Sequence, residues 1–346
     1  MPLGSGLANQ VGFADEITVG TPVAVVRFFE FDTESMSHDK NIAQGMGIRA
    51  GGFVVRRARR QLVTTKAAGD FGMDVPTTGL GLLLRHMLGS FPATPTQIGV
   101  TPAYQQIHNM GLVDAHSFTM QKGIARTDGT VEPFTYPGSK VTSWEISCQP
   151  SALAKLKLSI DSWTEYTSAF GGVAALQAAA YSATQAGFTF AGGTIKTATA
   201  MTVASGIWTP TAPTTLATVT GINVKGANAL ATDRFFAGAA TKAEQLENGW
   251  RKITGEVDIE FNTRALYDAM AADTSLVLQV SFVGVDIGSG NLQKLTLTMP
   301  AIALESGGTP QTSGPGINTA KHSFTALDDG TNGTLQAVYV STDTTV

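Results

Sequence analysis

The chain has 346 residues, a formal net charge of -4 and a single cysteine. That length can hold one large β domain or two smaller ones, and the lone Cys148 excludes an intrachain disulfide and any cysteine-based zinc cluster. No run approaches the ~18 apolar residues of a membrane helix, and the opening MPLGSGLANQV lacks the regions of a signal peptide; both predict a protein kept in a cytoplasm or released without secretion.

In chain order, VAVVRFFEF (23–31) has the aromatic and β-branched content of a strand. Residues 32–52 are polar, glycine-bearing and without period, so they read as a long loop; such loops are uncommon inside domains and here predict contact with a neighbour. FVVRRARRQLVTTKAAGDFGMDV supplies one or two further strands. In VPTTGLGLLLRHMLGS, Leu80, Leu83, Leu84, Met87 and Leu88 follow one helical face, with Thr77 or Thr78 as cap and Gly89 as the stop.

Strands resume with HSFTMQKGIAR, a DG turn, TVEPFTY, VTSWEISCQP and ALAKLKLSIDSW, the last alternating wet and dry residues. Residues 164–249 differ in composition, with an alanine-rich, helix-compatible AALQAAAYSATQ and a Thr/Pro/Gly stretch, and read as an exterior insertion. ITGEVDIEF is another alternating strand, a short helix follows near TRALYDAMAA, and SLVLQVSFVGVDI and LQKLTLTMPAIALES are joined by GSGN. The tail HSFTALDDGTNGTLQAVYVST reads as a hairpin. No repeat of 20–50 residues is apparent.

Only 14% of the residues are charged, against about 25% in an ordinary soluble domain. With charge so scarce, a surface covered by partners is favoured, which predicts self-assembly.

No enzyme pattern is present: HExxH, Walker A, EF-hand loop, dinucleotide fingerprint and GxSxG elbow are all missing. Asp114 and His116 could form half of a metal site, but no third ligand lies nearby in sequence. Cys148 alternates with Trp144 and Ile146 and reads as a small buried hydrophobe. No cofactor is implied. Trp163, Trp208 and Trp250 would favour sugar binding if they formed an exposed platform, and read more simply as core or interface.

Two constellations remain. Glu256, Asp258 and Glu260 share one face of a strand, roughly 6.6 Å apart. Like charges within a Debye length of about 8 Å repel, so the row needs bases opposite, such as Lys155 and Lys157, or forms an acidic lining. The second is Arg56, Arg57, Arg59 and Arg60, four bases in five positions. Strand alternation puts Arg56 and Arg60 on one face and Arg57 and Arg59 on the other. That division suits an edge element between neighbours better than a grip on DNA.

The order of segments resembles the major tail tube proteins of long-tailed bacteriophages. The carriers are ESMSHDKNIAQGMGIRAGG before an Arg-rich strand, AAGDFGMDVPTTGLGLLLRHMLGS, SFTMQKGIARTDGTVEPFTYPGSKVTSWEISCQ, LENGWRKITGEVDIEFNTRALYDAM, and LTMPAIALESGGTPQTSGPGI with the terminal hairpin. The resemblance implies a mainly β fold: a β-sandwich with one or two short peripheral helices, six copies forming a ring whose inner strands, about four from each, make one continuous β-barrel. The domain reading is an N-terminal arm (1–26), a first part of the tube domain (27–163) with a stacking loop at 32–52 and a helix near 78–88, the insertion (164–249), a second part (250–305), and a C-terminal linker and hairpin (306–346).

The resemblance further implies a structural protein of the virion tail, assembled in the host cytoplasm, whose stacked rings conduct DNA during ejection. Implied partners are the protein itself, tape-measure, tail terminator and baseplate proteins, and duplex DNA passing without specific binding or membrane insertion. Such a conduit cannot hold its cargo, since phosphate contacts accumulate into strong binding. The expected channel lining is therefore Glu256, Asp258 and Glu260, with Arg56, Arg57, Arg59 and Arg60 at subunit or ring contacts, Arg57 and Arg59 pairing with acids such as Glu34 or Asp39 of an adjacent subunit. A terminator, a capsid-decorating protein and a β-rich adhesin are the alternatives.

Overall fold

The computed structural model describes residues 4–91, 93–167, 175–182, 185–305, 307–310, 312 and 314–346. The first half of the chain supplies β1 (Gln10–Asp15), β2 (Arg27–Phe28), β3 (Thr33–Glu34), β4 (Ser37–Gln44), β5 (Arg60–Asp74), the helix α1 (Gly81–Leu88), β6 (Thr96–Gln97), β7 (Tyr104–Asn109), β8 (Phe118–Ala125), β9 (Val131–Cys148) and β10 (Lys155–Ser162). The long strand β9 belongs to two layers. Its residues 131–139 pair with β8, which continues to β1 and β2. Its residues 140–147 pair with β10, then come β5 and the strands β3 and β4. The change of layer falls at Gly138, where φ is 61° and the Trp163 ring occupies the space a Cβ would need.

The second half supplies β11 (Gly193–Ala198), β12 (Met201–Ala204), β13 (Ile207–Pro210), β14 (Thr214–Thr215), β15 (Val219–Ala227), β16 (Lys252–Glu260), the helix α2 (Ala265–Ala271), β17 (Leu276–Asp286), β18 (Leu292–Leu304), β19 (Thr319–Leu327) and β20 (Gln336–Ser341). Its connections repeat those of the first half. Strand β11 pairs with β14 and β17, β17 with β18, the end of β18 with β19, β19 with β16, and β16 with β15. The series β1, β2, β4, β5, α1, β8, β9, β10 thus matches β11, β14, β15, β16, α2, β17, β18, β19. The register agrees as well, with Asp70 opposite Ser159 and Glu256 opposite Ser323. In the aligned strands GDFGMD (69–74) matches GEVDIE (255–260), and KLSI (157–160) matches KHSF (321–324). The chain is an internal duplication.

Strand β15 welds the two units. One edge pairs with β16 and the other with residues 143–148 of β9. A single layer therefore runs β4, β5, β10, β9, β15, β16, β19, β18. Behind it β17, the start of β18, β20 and β7 form a second layer. One apolar core joins the layers, with Phe13, Phe71, Phe118, Leu83, Met299 and Tyr339 fully buried.

Several sequence expectations need correction. The strand expected at 23–31 shrinks to the two residues of β2. The loop expected at 32–52 contains β3 and β4, because the edge of β5 offers backbone partners that outweigh the poor strand propensity of SHDKNIAQ. Residues 164–249 are no mere exterior addition, since β15 lies mid-sheet. No helix forms in the described part of the alanine-rich segment; its Gln177 backbone is held by the side chains of Gln10 and Gln121.

The C-terminal strands make no hairpin. Both β19 and β20 run antiparallel to β18 along one edge, the glycine turns between them bulging outward. Helix α1 buries the expected stripe and ends at Gly89, with φ of 72°, but neither Thr77 nor Thr78 caps it. Instead Thr77 Oγ1 accepts the Ala186 N–H at 3.3 Å.

Gly255 approaches the Asn223 carbonyl so closely that a Cβ would lie 2.3 Å from it, and backbone cannot yield as a side-chain tip does. Gly255→Val is expected to destabilise the fold by about 1–3 kcal/mol, read from the midpoint of denaturant unfolding. Buried His108, bonded to Ser90 Oγ at 2.7 Å, has its pKa pushed down to about 3 by burial and by Arg85. The unfolded chain takes up this proton near pH 6.5 and the folded chain does not. Stability should therefore fall with pH from about 6.5 toward 3, by about 1.4 kcal/mol per unit. His108→Gln should flatten that slope in unfolding curves across the range.

Candidate assembly surfaces

The outer face of the eight-stranded layer is polar because each strand alternates. Along β10, Lys155 and Lys157 point out while Leu156 and Leu158 point in; along β16, Glu256, Asp258 and Glu260 point out between buried Val257 and Ile259. Register then sets charge against charge. Lys157 Nζ lies 3.0 Å from Asp70, Lys155 Nζ 2.6 Å from Asp74 and 2.8 Å from Asp32, and Lys321 Nζ 2.8 Å from Glu256. The ammonium of Lys321 holds the Glu256 carboxyl below its ordinary range. Lys155 and Lys157 thus pair with β5 and not with the acidic row. Asp258 and Glu260 make no ion pair among the described residues.

The two units build this face alike. The pair Lys157 with Asp70 occupies the place in the first unit that Lys321 with Glu256 occupies in the second. The result is a mixed, nearly balanced surface with a small acidic excess on β16.

The second surface is an arm. Strands β4 and β5 run past the end of β10 and carry the segment 45–59 at their tip. Arg57–Arg59 form a 3-10 turn with no buried residue, and Arg60 opens β5. Strand alternation therefore does not describe Arg56, Arg57 and Arg59; the turn puts all of them in solvent, and none makes an ion pair among the described residues. Asp39 is exposed opposite Lys66 on the arm. Glu34 instead turns inward, 3.0 Å from Lys122 Nζ. Sequence reasoning passed over the arm's apolar side chains, Met46, Ile48, Phe53 and Val54, all exposed. Their signal is apolar residues set among glycines.

A third feature went unread: the segment 228–251 is clamped onto the first unit by buried polar groups. Lys242 bonds Asp161, both buried. Lys140 Nζ reaches Glu244 at 2.6 Å and the carbonyls of Val113 and Gln245 at 2.9 Å. Asn228 and Arg251 bond the Met87 carbonyl at the end of α1. Burial pushes the Asp161 carboxyl up and the Lys242 ammonium down, against their mutual attraction.

No group of three potential metal ligands occurs among the described residues. Asp114 accepts the Glu247 N–H, and His116 stacks on Phe91 with ring centres 3.7 Å apart. Cys148 is buried, which raises its thiol pKa. Trp208 is buried and Trp250 exposed, on separate elements.

A family profile described as phage tail tube protein matches residues 6–335. The chain belongs to the phage tail tube protein family. A comparison with curated proteins returned no match. The tail tube protein is a structural component of the virion tail and not an enzyme. Its family match runs through 164–249, in keeping with the central place of β15.

Lys242→Met in this tail tube protein leaves the buried Asp161 carboxylate without its cation, with the Gln245 amide still donating to it, and should cost about 3–5 kcal/mol. Lys155→Ala, at an exposed pair, should cost less than about 1 kcal/mol. Denaturant unfolding of the two variants beside the parent checks the contrast.

Proposed function

We propose that the chain closes into rings of six four-stranded units that stack as the tail tube, the polar face of the large layer lining a channel for duplex DNA. One observation carries this reading: that face is continuous across both units, mostly polar, and has Lys155, Lys157, Lys225 and Lys321 engaged by cross-strand carboxylates. Barrels of about 16–18 strands leave only a water channel, so a bore for duplex DNA needs strands from several copies. Each base engaged by a carboxylate is one fewer free grip on DNA, because phosphate affinity grows with each free base. In this reading Glu256, Asp258 and Glu260 face the channel. The arm, with Arg56, Arg57, Arg59 and Arg60, makes contacts between subunits or rings, and Asp39 of a neighbour accepts from Arg57 and Arg59. Glu34, bound to Lys122 in its own chain, is the weaker acceptor. Tape-measure, terminator and baseplate proteins meet the assembled tube.

Electron microscopy of the purified protein tests the reading: stacked hollow rings support it, isolated rings point to a terminator, and monomers argue against both. Charge reversal R57E/R59E should lower tube yield several-fold while leaving the circular dichroism spectrum unchanged; normal yield would remove the arginines from the contact. Asp258→Lys with Glu260→Lys should leave tubes intact but make them retain duplex DNA at low salt, with retention falling steeply as salt rises.

A further inference from the structure

We propose that copies of this chain join head to tail through the same junction that joins its two units, the β3–β4–β5 edge of one copy docking beside the end of β18 in the next. The ring itself rests on the tube reading above; the junction rests on the strand pairings.

The template lies within the chain. In the second unit β15 pairs with β16 on one edge and with residues 143–148 of β9 on the other. Its counterpart β4 pairs as a strand with β5 alone among the described residues. The counterpart of β9 is β18. Beyond Ile302 it keeps β19 on one edge, and among the described residues has no strand where β9 has β15. One end of the layer is therefore a hairpin without its host, and the other a host without its hairpin. A second copy supplies each. An open edge leaves a row of backbone donors and acceptors unpaired, and a head-to-tail contact that closes into a ring gives each such edge a partner.

The connections within the two hairpins tell the same story. In the second unit the connection between β15 and β16 folds over the first unit, bonding the end of α1 through Asn228 and Arg251 and β10 through Lys242. In the first unit the connection between β4 and β5 is the arm, whose Ile48 and Phe53 lie wholly exposed. Its host by the same operation would be the neighbour's second unit, where α2 buries only Leu266. The arm is exposed because its seat is on another copy.

Each chain then brings two units, and a six-unit ring contains three chains instead of the six expected from the sequence. Equivalent positions give a direct probe. Ala227 lies opposite Ser143 at the internal junction. Asp39, opposite Lys66, matches Ala227, opposite Lys252; Glu305, whose N–H bonds the Ser323 carbonyl, matches Ser143, opposite Ser159. Lys66 beside them offsets the two facing acids.

The test is the symmetry of assembled tubes by electron cryomicroscopy, with the mass of released rings, alongside oxidation of the double variant D39C/E305C. Three chains per ring, β4 beside the end of β18, and a denaturing-gel ladder stopping at three chains are expected. A control pair at the internal junction, A227C/S143C, should close within one chain and give no ladder. Six chains per ring, or β4 beside any other element, would overturn the proposal. If no hollow rings form, the tube reading fails separately. The cysteine pair still decides the junction then, because a ladder in any oligomer supports it and none overturns it.

Discussion

A strand at the edge of a sheet carries unpaired backbone donors and acceptors, and most of this fold follows from how those groups are satisfied. The long strands β9 and β18 solve the problem locally by serving two layers each, so that neither layer ends where the other begins. Strand β15 solves it between units, filling the edge of β9 and extending the layer to β16. At the two ends of the eight-stranded layer, β4 and the last residues of β18 have no strand on their outer edges among the described residues. A soluble monomer would blunt such edges with bulges, charge or a covering loop. Here β4 carries Asp39, Lys40 and a bulge at Asn41–Ile42, yet it is continued by an arm whose exposed apolar side chains offer no such protection.

Charge is arranged by the same pleat. Alternation sends lysines and carboxylates to the outer face, and antiparallel register sets them opposite one another. Exposed pairs of this kind add little stability, a median of about 0–1 kcal/mol. Their consequence is electrostatic: they remove free cations from a surface that would otherwise hold a polyanion. Where the chain needs strong polar bonds it buries them, as with Lys242 and Asp161, at the contact between units. Breaking a pair of that sort is costly because the surviving charge has no water to turn to.

Much of this was legible in the residues. The strands β8, β17 and β18, buried on both faces for much of their length, follow from their apolar and β-branched runs. The strands β10 and β16 follow from alternation and α1 from its leucines, because burial on one face dictates the pattern. The acidic row on β16 falls on one face for the same reason. What escaped depends on distant partners. Residues 37–44 are polar and become a strand only because β5 lies alongside. The arginine run looked like strand continuing into β5, yet the chain bends at Arg57–Arg59 before pairing starts. The duplication was hidden because its halves share little beyond GDFGMD with GEVDIE and KLSI with KHSF, and connections of unequal length separate them. Packing preserves a topology long after side chains have drifted, so pairing reveals what identity does not.

That drift is informative. Where the units retain the same chemistry, as in the ion pairs of Lys157 and Lys321, the residues lie on the common polar face, which all units present alike. Where they diverge, the residues lie in the connections between β4 and β5 and between β15 and β16. One connection is bound down by buried polar contacts, the other left exposed with apolar side chains and arginines. A fused pair can specialise in this way, because the contact inside a chain forms once during folding and can be permanent. The contact between chains must wait for a partner and be able to correct errors while assembling. Buried ion pairs suit the first task, since they are costly to break. Exposed apolar tips and surface charges suit the second, since their attraction is modest until the whole interface is in place.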